Sequence, residues 1–113
     1  MEPLPMAPAT CSLDEAELRA QLARYRAVGA GADVLRRSTR QLVIRVGDPV
    51  SPLLVEKVVA IERRCCPFFE FGWEQSQRRL TISVSSSEQE PALDAIAYAL
   101  GLSSERPRSQ ASA

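Results

Sequence analysis

The chain has 113 residues, 45% of them apolar and 25% charged, which is room for one globular domain around one core. Its fourteen basic and fourteen acidic residues cancel, so no global field gathers nucleic acid or an anionic membrane, and neither is expected as a partner. Histidine is absent, which removes Ser-His-Asp and Cys-His catalysis within one chain and confines any transition-metal site to sulfur and carboxylate ligands.

Residues 1–10 are proline-rich and aperiodic, and read as a loose arm. They lack the basic start and continuous apolar run of a signal peptide, and no stretch is long enough to cross a bilayer, so a cytoplasmic location is expected. In that reducing compartment the three cysteines, Cys11, Cys65 and Cys66, point to reduced thiols, metal ligands or redox groups rather than to a disulfide framework. A single domain is expected over 11–102. Ser12-Leu13-Asp14-Glu15 fits a capping box, and Leu18, Leu22 and Tyr25 follow at helical spacing until Gly29 and Gly31, which predicts a first helix over 13–28.

Residues 32–38 form a weak strand pattern, whereas 41–46 alternate clearly, with Leu42, Ile44 and Val46 on one face. Gly47-Asp48-Pro49 is a turn. Ser51-Pro52 then supplies a cap and the residue best tolerated in a first helical turn. Leu54, Val58, Ile61 and Cys65 make one row of the second helix, and Val55, Val59, Glu62 and Cys66 the neighbouring row. Pro67 disfavours helical geometry at Cys66, so the helix should stop there.

Phe69, Phe71 and Trp73 alternate as the buried face of a third strand, with Phe68 less clearly placed. A turn at 75–77 leads to a fourth strand over 79–85, with Leu80, Ile82 and Val84 on one face, and the two strands read as a hairpin. Ser87-Glu88-Gln89-Glu90 suggests a second capping box, followed by Leu93, Ile96, Ala97 and Leu100, then Gly101. The polar residues 103–113 are expected to be a disordered tail.

The order α-β-β-α-β-β-α implies an α+β two-layer sandwich: a four-stranded, mainly antiparallel sheet with the second and third helices on one face. Such a chain is a circular permutation of the ferredoxin-like arrangement, with the last strand moved to the front. The first helix must then cover a sheet edge or the helical layer.

The run Glu62-Arg63-Arg64-Cys65-Cys66-Pro67-Phe68-Phe69-Glu70-Phe71-Gly72-Trp73 holds two of the three cysteines, every phenylalanine and the tryptophan. Together with Cys11-Ser12-Leu13 and the capped last helix, it resembles a group of small bacterial proteins carrying an E-R-x-C-C-P-F signature. The resemblance spans roughly residues 10–101 and brings no assigned activity with it.

The chemistry has to come from the thiols. Cys11 precedes a helix N-terminus, where the dipole favours a thiolate; Cys65 and Cys66 sit at the opposite pole of their helix, where Arg63, Arg64 or a cation must compensate. Three sulfurs without histidine suit soft ions: mercury, cadmium, arsenite or cuprous copper, and zinc if Glu62, Glu70 or water completes four ligands. Adjacent cysteines chelate poorly unless the bend at Pro67 turns them together.

Cys65 also continues an apolar row, as a thiol used only for packing would. The aromatic cluster reads as core. Glu62 reads either as a carboxylate serving the thiols as base or support, or as an ion-pair partner of a neighbouring arginine. The expected function is a thiol-based binding protein for a soft metal or metalloid at Cys11, Cys65 and Cys66. The alternatives are a thiol redox enzyme or sensor using Cys66 with Cys65 or Cys11, and a structural domain with inert cysteines. A vicinal disulfide would need a strained eight-membered ring, which favours Cys11 as the resolving thiol.

Overall fold

The computed structural model describes residues 14–102. The arm at 1–10, Cys11, the Ser12 cap and the tail at 103–113 lie outside the described residues. Helix α1 spans Glu15–Gly29 and carries a capping box two residues later than the sequence suggests. Asp14 is its cap, accepting the Glu17 N–H at 2.8 Å while the Glu17 carboxylate accepts the Asp14 N–H at 3.3 Å. Asp14-Glu15-Ala16-Glu17 is the same reciprocal pattern with aspartate in the capping position.

Strands β1 (Asp33–Arg37) and β2 (Gln41–Arg45) pair antiparallel. A β-bulge between Val34 and Arg36 turns both Leu35 and Arg36 outward, which is why the sequence alternation of β1 is weak. Helix α2 (Pro52–Cys65) starts as expected, with the Ser51 hydroxyl accepting the Leu53 N–H at 3.1 Å and Pro52 in the first turn. Strands β3 (Glu70–Glu74) and β4 (Arg79–Ser83) form the expected hairpin around a 3₁₀ turn at Gln75–Gln77. Helix α3 (Glu90–Ala99) lacks the Ser87 box: Ser87–Gln89 is a 3₁₀ turn, and the Gln89 side chain instead accepts the Ser85 N–H at 3.2 Å.

The sheet order is β1-β2-β4-β3, every pair antiparallel. Strand β4 therefore lies between β2 and β3, the two strands that α2 connects. That is a split β-α-β unit, and the order is the one required by a ferredoxin-like sheet whose last strand has become the first. Leu42, Ile44, Leu80 and Ile82 form the buried face, and Phe71 and Trp73 lie opposite Ile82 and Leu80 on that same face. Burial of the four aliphatic side chains, worth about 1.5–3 kcal/mol each, holds the helices to the sheet. Helix α2 packs beside β3, α3 packs beside β2, and α1 lies against both helices, covering the helical layer rather than an edge.

Two close fits lock this arrangement. Helix α1 ends at Gly29, with Gly31 at φ 74° just beyond it, as expected; Gly29 also abuts the end of α3, where a Cβ would stand 1.9 Å from the Leu100 carbonyl oxygen, so it is needed for contact too. Arg78, at φ 52° in the left-handed region, closes the β3–β4 turn and donates from its guanidinium to the carbonyls of Val46, Gly47 and Val50. The carbonyl of Arg78 in turn accepts the Val46 N–H at 2.8 Å. The hairpin turn and the approach to α2 are thereby tied at one end of the sheet.

Candidate functional site

At the other end of α2 the helix stops at Cys65, and Cys66 leaves helical geometry at φ −135°, ψ 74°. Pro67 forces this by excluding the α region for the residue before it. The Cys66 N–H still donates to the Glu62 carbonyl at 2.7 Å, and its carbonyl accepts the Phe69 N–H at 3.2 Å, which turns the chain into β3. The Phe69 ring packs tilted against those of Phe68 and Phe71, with centroids 4.6 and 5.9 Å away. Arg63 binds the Phe71 carbonyl at 3.0 Å and fastens the helix end to β3.

The bend at Cys66 swings its side chain back beside that of Cys65. The two sulfurs lie 3.9 Å apart, beyond bonding distance, and both residues are buried. Glu62, one turn earlier, is only 6% exposed, and its carboxylate joins the sulfurs in a group whose ligand atoms all lie within 4.8 Å of one another. The structure therefore brings together Cys65, Cys66 and Glu62. The expected third sulfur, Cys11, belongs to the residues that are not described.

Among the described residues no arginine forms an ion pair with Glu62. Its Oε1 accepts two hydrogen bonds from α1, from the Tyr25 hydroxyl at 2.9 Å and from Gln21 Nε2 at 3.2 Å. The Gln21 amide has a defined orientation: its oxygen accepts from Arg24 at 2.7 Å, so Nε2 must face Glu62 and the Val58 carbonyl, 3.2 Å away. Both donors converge on a single carboxylate oxygen, which fixes the plane of the Glu62 side chain. Burial, and then the charge and hydrogen bond of Glu62, push the Tyr25 hydroxyl well above its ordinary value of 10.0, with the Cys66 and Cys65 sulfurs acting in the same direction. Tyr25 is thus held as a proton-bearing donor.

The sequence periodicity passes over this support. Gln21, Tyr25 and Val28 stand at i, i+4 and i+7 and form the buried stripe of α1, whereas Leu22, expected on that stripe, is 46% exposed. A polar residue at the first position of the stripe hides it from any count of apolar residues. The available signal is the complement, a glutamate in the otherwise apolar inner rows of α2.

The sulfur separation limits what the pair can hold. At a metal–sulfur bond of about 2.3 Å, a separation of 3.9 Å corresponds to an S–M–S angle near 116°, between tetrahedral and trigonal. Linear two-coordination at the same bond length needs sulfurs about 4.6 Å apart. A tetrahedral ion places a carboxylate oxygen about 3.6 Å from each sulfur, and the Glu62 oxygen lies within 4.8 Å of both. No helix among the described residues is long and apolar enough to cross a membrane. Comparison of the chain with protein-family models, with curated proteins and with solved structures finds no match in any of the three.

Proposed function

We propose that the chain is a cytoplasmic binding protein for a soft metal or metalloid ion, held by the thiolates of Cys65 and Cys66 beside the Glu62 carboxylate. The observation that carries this reading is the 3.9 Å sulfur pair, produced by the bend before Pro67, with a buried carboxylate in the same cluster. Adjacent cysteines in a regular helix diverge; here the change of backbone at Cys66 makes them a chelate. Thiolates and a carboxylate without imidazole match the donor preferences of zinc, cadmium and other thiophilic ions.

Burial favours this over the redox alternative. An oxidant or a resolving protein thiol needs an accessible sulfur, and Cys65 and Cys66 are 2% and 3% exposed. The test is native mass spectrometry of reduced, chelator-free protein titrated with zinc, cadmium and arsenite, beside Cys66→Ser. The expected result is a one-to-one adduct in the wild type that the variant loses. Absence of an adduct with every ion overturns the proposal.

A further inference from the structure

The hydrogen bonds behind Glu62 narrow the class of ion, an inference that rests on the binding reading above. We propose that the site selects a divalent thiophilic cation such as zinc or cadmium over arsenite, through a Glu62 carboxylate that Tyr25 and Gln21 hold in a ligating orientation.

Three observations carry it. Tyr25 and Gln21 both bind the same oxygen, so among the described residues Oε2 carries no hydrogen bond and is the oxygen left to meet an ion. The chain Arg24 to Gln21 to Glu62 sets the orientation of each member, because the Arg24 donor fixes which end of the Gln21 amide faces the carboxylate. The sulfur pair has the spacing of a tetrahedral or trigonal site, and a divalent ion there requires a further ligand that two thiolates do not provide. Glu62 supplies it. Backing of a ligating side chain by an outer hydrogen-bond partner is worth 10- to 100-fold in affinity, roughly, at metal sites.

Arsenite makes no such demand. It condenses with two thiols, As(OH)₃ + 2 RSH → (RS)₂AsOH + 2 H₂O, with no change of oxidation state, and its third position stays filled by its own hydroxyl. Its binding reads the sulfur pair alone and is blind to the carboxylate. Tyr25 and Gln21 are positioning residues in this scheme, since neither touches the ion.

The experiment compares cadmium and arsenite affinities of the full chain with those of Tyr25→Phe and Glu62→Gln. Cadmium binding is expected to weaken about 10- to 100-fold in Tyr25→Phe and at least as much in Glu62→Gln, with arsenite affinity unchanged within about threefold. Parallel losses for both probes mean a purely structural role and overturn the proposal, as does unchanged cadmium affinity in both variants. X-ray absorption of the zinc-loaded wild type needs no variant: sulfur and oxygen neighbours together are expected, and a sulfur-only ion overturns the proposal. Wild-type binding of arsenite without cadmium overturns the selection and leaves the thiol site standing. Binding of neither overturns the underlying reading as well.

Discussion

Helix α1 meets the rest of the molecule in two unlike ways. Along its middle it reaches α2 through polar groups, Gln21 and Tyr25 converging on one oxygen of Glu62. At its C-terminal end it meets α3 backbone against backbone, with Gly29 leaving no room for a methyl group beside Leu100. The second contact is shape alone and has one solution. The first uses buried polar groups where aliphatic side chains of similar size would stabilise the fold as well or better, so stability alone does not account for it.

Gly29→Ala separates the two contacts most strongly. Overpacking a backbone contact should lower stability by about 3 kcal/mol in chemical denaturation, while the folded fraction keeps its cadmium affinity. An equal loss of affinity per folded molecule shows that the two contacts are one unit. Tyr25→Phe is the counterpart: it should cost the ion-free protein about 1–2 kcal/mol, from one missing hydrogen bond to a charged group.

Its pH dependence has a definite sign. The hydroxyl of Tyr25 keeps its proton in the folded chain above 10.0, where the unfolded chain releases it, so this stabilisation is complete below pH 10 and is lost as pH rises further. Tyr25→Phe should therefore lose less stability than the wild type between neutral pH and about pH 11, measured by thermal melts. The smallest effect is Asp14→Ala, about 1 kcal/mol from the cap of α1. It touches neither contact, so a larger effect on cadmium affinity than on stability points to coupling between the helix start and the site.

These contrasts also explain what was legible beforehand. Alternation in β2 and β4 and the Ser51-Pro52 start of α2 are written in residue types that have one common use, and they led to the observed α-β-β-α-β-β-α order, whereas the strand order within the sheet needed the structure. Cys65 and Cys66 stood out because they are adjacent at a helix end before a proline, and Glu62 because a carboxylate is rare on an inner helical row. Gln21 did not, because a glutamine at an inner position looks like any surface glutamine until its partner across 41 residues is known. Gly29 looked like a stop signal, since a glycine near a helix end serves both for termination and for close approach. Arg78 gave no sign of its left-handed backbone, which a turn usually assigns to glycine or asparagine.

Arg78 has a consequence at a distance. Helix α2 is a strut of fourteen residues, about 21 Å long, clamped at its base where the guanidinium grips the Val50 carbonyl just before Ser51. The sulfurs ride on its far tip. A strut held at its foot has little freedom to slide along its own axis, so the depth at which Cys65 and Cys66 are buried is tied to a turn at the opposite end of α2.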